Sequence, residues 1–243
     1  MNFGNIPPVV KNLLIINGLF FLATILFGNQ LNLTEYLGLH YWKSPGFYPH
    51  QLVTYMFMHS NVDFTHILFN MFAVWMFGRI LEQVWGGKRF LIYYMVTGIG
   101  AGIIQLVVAH IRLMPLYDAL PPEAIDMVMQ EGYGVIASGQ NYVDPMLGSF
   151  NALINGTTVG ASGAVFGILL AFGILFPNTE LMLLFPPIPI KAKWFVIGYG
   201  ALELIMGFAN NPNDNVAHFA HLGGMLFGFI LIKVWKKDRN RFY

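Results

Sequence analysis

Six apolar runs, each about twenty residues long, limit what this 243-residue chain can fold into. They lie at roughly 10–28, 64–84, 89–113, 158–176, 194–210 and 216–235. An apolar run in lipid must be helical, because its backbone groups have no water to bond. Hydrophobic residues make up 56% of the chain and charged residues only 10%, whereas about a quarter of a soluble domain is charged. We therefore predict an all-α, polytopic membrane protein, a bundle of six transmembrane helices.

Two long segments connect these runs, an outer loop at 29–63 and an outer insertion at 114–157. The outer loop is rich in aromatic and aliphatic residues, so we expect short helices at the membrane interface. The insertion has a Pro-Pro-Glu helix start at 121–123. It is either a lid that senses substrate or an insertion resting on the surface, and the second is favoured because long loops are only sometimes functional. No internal repeat divides the chain, so we predict a single membrane domain over residues 1–243.

The basic residues indicate the orientation of the chain. With the amino terminus inside, eleven of the thirteen Lys and Arg residues lie on or near the inner side, and only Lys43 and Arg112 lie outside. The inner residues are Lys11, Arg79, Lys88, Arg89, Lys191, Lys193, Lys233, Lys236, Lys237, Arg239 and Arg241. By the positive-inside rule, both termini are predicted to be cytoplasmic.

The start of the chain bears on its compartment. No Lys or Arg precedes the first apolar run, and no small-residue cleavage site follows it, so this run is interpreted as a retained span and not as a signal peptide. The lack of a targeting segment favours a bacterial plasma membrane over an organelle.

Composition excludes several kinds of site. The chain has no cysteine, hence no disulfide, no thiolate metal site and no cysteine nucleophile. Its net charge of +1 does not suggest a nucleic-acid surface. Histidines at 66, 218 and 221 could suggest zinc, but there is no HExxH motif, and we expect no carboxylate at the same depth. We therefore predict no metal, no cofactor and no nucleic-acid partner.

A serine among small residues stands near the start of the fourth run, in the stretch VGASGAVFG at 159–167. The common role of such a stretch is tight helix packing, since Gly163 and Gly167 form a small-xxx-small seam. The alternative is that Ser162 is a nucleophile, which requires a base at the same membrane depth on another span.

Four polar groups from three runs fall in the same outer third of the bilayer. His66 and Asn70 are four residues apart on the second run and share one helical face. Ser162 and His221 lie near the outer starts of the fourth and sixth runs. Polar and ionisable residues at membrane depth are expensive, so each is a functional candidate. Together they predict one site, and the alternative is a chance alignment of interfacial polar residues.

The glycines that follow His221 make it the better candidate for the base. Gly224 and Gly228 lie on the same helical stripe as His221, and this stripe is small enough to pack against the glycine seam of the fourth run. Packing seam against seam places the imidazole beside Ser162. His218 lies one turn nearer to water and is predicted to be an interfacial histidine.

Two carboxylates also lie within the runs. Glu82, at the inner end of the second run and followed by Gly86, is expected to hold the inner loop by hydrogen bonds. Glu203, in the fifth run, is either an outer-leaflet helix contact or a gate residue, and the sequence does not choose between them.

In combination and in this order, four motifs resemble the rhomboid intramembrane serine proteases over nearly the whole chain. The motifs are His66-Ile67-Leu68-Phe69-Asn70, Glu82 with Gly86, Gly160-Ala161-Ser162-Gly163, and Ala220-His221-Leu222-Gly223-Gly224 with Gly228. There are two departures. His50-Gln51 stands where the family commonly has a Trp-Arg pair, and the insertion at 114–157 is longer than in compact relatives.

The resemblance implies roles for these residues. Ser162 is implied to be the nucleophile and His221 the general base of a dyad without an aspartate. The implied oxyanion stabilisers are His66, Asn70 and the backbone N–H groups around Gly160, Ala161 and Ser162. Phe166 stands where the family often has an aromatic ring stacked on the base. The residues expected to be structural around the site are Gly163, Phe166, Gly167, Gly224, Gly228 and Glu82.

We therefore predict a serine endopeptidase that hydrolyses peptide bonds in or near the transmembrane segments of membrane-protein substrates. Its partners are those substrates and the lipid bilayer. The alternative is a non-catalytic rhomboid-like protein that binds transmembrane helices without cutting them. A transporter would show paired broken helices and an inverted repeat, and neither is visible in the sequence.

Overall fold

Helices make up nearly all of the regular structure in the computed structural model, which describes residues 6–28, 30–61, 63–182, 187–209 and 216–239. In chain order the helices are α1 (Pro8–Phe27), α2 (Leu33–Leu37), α3 (Gln51–Thr54), α4 (Phe64–Ala73), α5 (Arg79–Trp85), α6 (Gly87–Ala119), α7 (Pro122–Ala137), α8 (Pro145–Asn155), α9 (Ser162–Leu175), α10 (Ala192–Ala209) and α11 (His218–Arg239). A short antiparallel hairpin pairs β1 (Glu180–Met182) with β2 (Pro189–Lys191). The prediction of an all-α membrane protein is confirmed. Arg241, one of the predicted inner residues, lies outside the described residues.

Five helical segments of the described chain are long and apolar enough to cross a membrane. They are α1, the α4–α5 segment Phe64–Trp85, α6, α10 and α11. A π-helical turn at Val74–Gly78 makes α4 and α5 continuous. The fourth predicted run differs, because only Ser162–Leu175 is helical, a length of 14 residues. At 1.5 Å per residue this helix is about 21 Å long, short of a full bilayer core.

Helix α9 lies at the centre of the bundle. Ten of its 14 residues are buried, and it packs against α6 and α11. A helix that is apolar on every side is expected to be buried in this way. By contrast, α10 turns large side chains outward, with Ile205 67% and Phe208 74% exposed, as suits contact with lipid. The serine of the predicted site is therefore carried by the most enclosed helix.

Close glycine contacts set the approach of α11 to α9. A methyl group at Gly224 would overlap the backbone carbonyl of Gly163, so only glycine fits where these two helices meet. The prediction that the glycine seams of α9 and α11 pack together along their length is wrong one turn deeper, at Gly167 and Gly228. Gly167 faces Thr97 and Gly228 faces Tyr93, both on α6. At this depth the glycines of both helices therefore pack against side chains of α6.

The outer loop is held by a buried glutamine. The side-chain carbonyl of Gln51 accepts a hydrogen bond from the backbone N–H of His40 at 3.2 Å, and its amide donates to the carbonyl of Gly46 at 2.8 Å. Leu39 then pairs with Thr158 as an isolated antiparallel bridge. Gln51, which departs from the family's Trp-Arg pattern, thus holds the loop together, and Leu39 joins the loop to the segment that leads into α9.

The outer insertion folds as two packed helices. Helix α7 begins at Pro122, as the Pro-Pro-Glu signal predicts, and a second small core forms around Val128, Phe150 and Ile154. Asn155 donates to the carbonyl of Val128 at 3.2 Å and to the side chain of Asn151 at 2.9 Å. The insertion is therefore an ordered α7–α8 hairpin, and the small core joins it to Ala109 and Leu113 of α6.

Candidate active site

Ser162 and His221 are brought together by the first turns of α9 and α11. The Oγ atom of Ser162 lies 2.8 Å from Nε2 of His221. The Phe166 ring stacks flat on the imidazole, with ring centroids 4.2 Å apart and an interplanar angle of 7°. His221 is buried and Ser162 is half-buried. Because Nε2 faces the hydroxyl, the imidazole can accept the serine proton when its own proton is on Nδ1.

The carboxylate of Glu203 lies on the other side of the same imidazole. Its Oε2 atom is 2.9 Å from Nδ1 of His221 and 2.6 Å from Nδ1 of His218. The contact with His218 is a hydrogen bond, whereas the N–H of His221 is not aligned for one. Glu203 and both histidines are buried. The carboxylate is thus enclosed and shared between two imidazoles.

Two expectations about these residues are wrong. His218 is not an interfacial histidine, because it is buried and bonded to Glu203. A carboxylate does stand at the depth of the histidines, contrary to the argument used against zinc. Counting along the helices could have found it. Glu203 lies six residues before the outer end of α10 and His221 three residues after the outer start of α11, depths of about 9 and 4.5 Å that a glutamate side chain can bridge.

The same cluster has the donor set of a metal site. One ligand atom each from Glu203, His218 and His221 lie within 4.8 Å of one another, and two histidines with a glutamate form a common zinc donor set. Here one carboxylate oxygen already lies 2.6 Å from Nδ1 of His218 and 2.9 Å from Nδ1 of His221, and it is hydrogen-bonded to His218.

His66 and Asn70, both on α4, line the same cavity as the serine. The side-chain amide of Asn70 donates to the carbonyl of His66 at 2.7 Å, which engages one of its two hydrogens. Gly160 lies between His66 and the serine. A Cβ atom there would stand 2.8 Å from Nε2 of His66 and 3.6 Å from Oγ of Ser162. Gly160 also has φ of +129°, which disfavours any other residue, so the space between these polar groups stays open.

The backbone donors differ from the expected set. The N–H of Gly160 donates to the carbonyl of Tyr55 at 3.0 Å, so it is directed away from the serine hydroxyl. The next N–H groups, of Ala161 and Ser162, stand at the start of α9, where no intrahelical carbonyl precedes them. Of the predicted backbone donors, these two retain the capacity to bind an oxyanion.

His59, in the outer loop, packs against His66 with ring centroids 5.2 Å apart. Burial, with a smaller contribution from the neighbouring His66, lowers the pKa of His59 to about 4. The side chain of His59 is therefore neutral at pH 7 and adds no charge beside His66.

Glu82 lies apart from this cluster, at the other end of the bundle. Its carboxylate accepts the backbone N–H of Val9 at 3.0 Å and that of Val10 at 2.8 Å. These are free donors of the first turn of α1. The expectation that Glu82 holds the inner loop is therefore corrected, since it binds the start of α1.

A cavity of about 1850 Å³ is lined in part by Ser162, His221, His66 and Asn70. Helices α4 and α10 contribute aromatic residues to it, namely Phe69, Phe72, Phe195 and Tyr199. The α7–α8 hairpin lines the same cavity through residues within 141–153. The preferred interpretation of the insertion, as a segment resting on the surface, is corrected in this respect, since it forms part of the wall beside the serine.

Similarity to known proteins accords with this architecture. Residues 47–116 and 128–237 match the family described as Rhomboid domain. "Putative rhomboid protease YdcA" of Bacillus subtilis is 29% identical over 194 residues, covering 78% of this chain and 70% of that protein. "Rhomboid protein 1, mitochondrial" of Saccharomyces cerevisiae is 27% identical over 186 residues, covering 75% and 42%. "RHOMBOID-like protein 12, mitochondrial" of Arabidopsis thaliana is 29% identical over 237 residues, covering 96% and 60%.

The chain thus spans less than two thirds of the yeast and Arabidopsis proteins, whose names place them in mitochondria. These names do not support the expectation of a bacterial plasma membrane. The helices do support an integral membrane protein. Since the matched segments cover most of the sequence and include all four motifs, this chain belongs to the rhomboid family.

Proposed function

We propose that this protein is an intramembrane serine protease that uses Ser162 as nucleophile and His221 as general base. Membership of the rhomboid family supports protease-type function within the membrane. The observation that carries the finer proposal is the 2.8 Å contact between Oγ of Ser162 and Nε2 of His221. A free serine is a weak nucleophile, and a base at hydrogen-bond distance is what activates it.

The reaction follows from this contact. His221 Nε2 takes the hydroxyl proton as Oγ of Ser162 attacks the carbonyl carbon of the scissile bond. The resulting imidazolium donates that proton to the leaving amine as the C–N bond breaks, leaving an acyl ester on Ser162. The same nitrogen then takes a proton from water, whose oxygen attacks the ester carbon. The imidazolium returns this proton to Oγ of Ser162 as the C–O bond breaks, which releases the acid and the free serine.

The oxyanion is stabilised by donors around the serine. We assign the second amide hydrogen of Asn70, the Nε2–H of His66 and the N–H groups of Ala161 and Ser162 to this role. Donors held in place before the reaction are worth more in a site that excludes water. The N–H of Gly160 is left out, because it is bonded to Tyr55.

The substrates are membrane proteins whose transmembrane helix unwinds near the outer face. A helical peptide bond is shielded by its own hydrogen bonding, so helix-destabilising residues near the cleavage site are required. The aromatic side chains that α4 and α10 add to the cavity suit an apolar segment arriving from lipid. Water reaches the serine from the outer side, through the cavity.

Covalent labelling tests this proposal. Purified protein in detergent is treated with a fluorophosphonate, and intact mass is expected to show one adduct per chain. Ser162→Ala is expected to abolish the adduct, and His221→Ala nearly to abolish it. Ser138→Ala is the matched control, because that hydroxyl is exposed and donates to the Val135 carbonyl at 2.8 Å, with no base hydrogen-bonded to it among the described residues. If folded wild-type protein gives no adduct while a rhomboid protease treated in parallel does, the non-catalytic binding function is favoured.

A further inference from the structure

We propose that Glu203 is a positioning residue for His221, so that the site works as a unit of Ser162, His221 and Glu203. The proposal rests on the proteolytic function proposed above. It adds a carboxylate to a site that sequence resemblance describes as a dyad of serine and histidine alone. The observation behind it is the position of the imidazole between two polar groups, with Oγ of Ser162 2.8 Å from Nε2 and Oε2 of Glu203 2.9 Å from Nδ1.

The carboxylate selects the tautomer of His221. A neutral imidazole carries one proton, on either Nδ1 or Nε2. With the proton on Nε2, the lone pair of Nδ1 would face a carboxylate oxygen at 2.9 Å, which is repulsive. With the proton on Nδ1, an N–H lies beside that oxygen, although not in line with it, and Nε2 offers a lone pair to Ser162. This second form is the one that can take the serine proton.

His218 holds the carboxylate in place. Its Nδ1–H donates to the same Oε2 atom at 2.6 Å, so Glu203 keeps a donor even though its contact with His221 is not aligned as a hydrogen bond. Catalytic hydrogen bonds are often poorly aligned in the free enzyme and tighten in the substrate complex. His218 is therefore assigned a supporting role, in which it orients Glu203 toward His221.

The charges also favour this arrangement. When His221 takes the serine proton it becomes a buried cation, and Glu203 is the carboxylate facing its ring in the described part of the chain. Phe166 covers one face of the ring, so water cannot solvate the imidazolium from that face. A carboxylate beside a developing cation is worth more where the local dielectric is low. This gain accounts for an ionisable residue kept at membrane depth, where it is otherwise expensive.

Substitutions at Glu203 test the proposal through rate. Glu203→Leu, of similar volume, is expected to lower kcat and the fluorophosphonate labelling rate by about 100-fold, with KM within about threefold. Glu203→Gln still offers a carbonyl to Nδ1–H and is expected to lose only about tenfold. Leu204→Ala, on the lipid-facing side of the same helix, is the matched control and is expected to label at the wild-type rate. A purely structural role would instead lower the unfolding temperature and raise KM together with the loss of kcat.

The tautomer gives a second readout that does not depend on activity. In ¹⁵N-histidine-labelled protein, the His221 signals are identified by their loss in His221→Ala, and Nδ1 is expected to be the protonated nitrogen. Glu203→Leu is expected to shift that population toward Nε2–H, and Glu203→Gln less so. Among partner variants, His218→Asn keeps an N–H donor near the Nδ1 position and is expected to retain more activity than His218→Leu.

These outcomes separate the two proposals. If Glu203→Leu labels at the wild-type rate and leaves the His221 tautomer unchanged, Glu203 has no positioning role, and the serine–histidine proposal stands. If wild-type protein is not labelled, the proteolytic proposal fails, while the tautomer of His221 still decides whether Glu203 orients it.

Discussion

Two buried carboxylates, one at each end of the bundle, have nearly equal exposure but different partners. Glu82 is 4% exposed and Glu203 is 6% exposed. Glu82 accepts two backbone N–H groups at the start of α1. Glu203 accepts a hydrogen bond from His218 at the outer site, and its Oε2 atom lies 2.9 Å from Nδ1 of His221. Burial and residue type therefore do not distinguish them, and the nature of their donors does.

The difference between these donors is chemical. A backbone N–H neither gains nor loses a proton at ordinary pH, so the carboxylate it binds can only hold one helix against another. An imidazole can do both, so a carboxylate beside it acts on a proton transfer. From this difference we expect Glu82 to contribute to stability, and we propose that Glu203 acts on the proton transfer at His221. Each prediction below alters one side of that comparison.

The largest expected effect is on membrane topology, because the two regions are predicted to lie on opposite sides of the membrane. Basic residues cluster at the end of the bundle that contains Glu82, which predicts that this end is cytoplasmic. A reporter fused after Tyr243 is therefore expected to read as cytoplasmic, and one inserted near Gly139 as external, in an all-or-none manner. The reverse pattern would put the Glu203 region in the inner leaflet and contradict the proposed site.

Asn70→Ala is expected to affect the outer region alone. Loss of a donor that acts mainly in the transition state should lower kcat by roughly 10–1000-fold, with a smaller effect on KM. The thermal unfolding temperature, measured on the same preparations, should change little. If kcat is unchanged, Asn70 is a helix-packing residue whose amide merely bonds the carbonyl of His66.

Glu82→Ala is expected to give the converse result, a smaller one. Two backbone donors at the start of α1 lose their acceptor, which should cost about 2 kcal/mol of unfolding free energy. The labelling rate per folded molecule should stay within about twofold of wild type. Glu82→Gln is the matched variant and should lose less, because its carbonyl still accepts one N–H. A large loss of labelling rate at full stability would remove the distinction between the two carboxylates.

Depth along each helix could be predicted from the sequence, and much of the site depends on depth alone. Counting from the outer ends grouped Ser162, His66, Asn70 and His221, and the structure has these side chains around one cavity. The contact of Gly224 with α9 could be predicted as well. The structure contains it, because a methyl group at Gly224 would overlap Gly163. Their catalytic roles stay predictions.

Contacts between helices could not be predicted in the same way. Gly228 faces Tyr93 instead of the α9 seam, and the N–H of Gly160 is bonded to Tyr55. Each depends on how one element is rotated and tilted against another, and the periodicity of a single run carries no information about its neighbour.

By itself, the sequence determined a helical membrane protein, its order of spans and the membrane depth of its polar residues, because the hydrophobic effect and backbone hydrogen bonding act along each segment. Only the tertiary structure decided that α9 is a short buried helix, that Glu203 faces His221 and His218, and that the α7–α8 hairpin lines the cavity. The physical reason is that these features arise from the relative rotation of packed helices. That rotation is set by close contacts such as Gly224 on Gly163, which exist only once the bundle has formed.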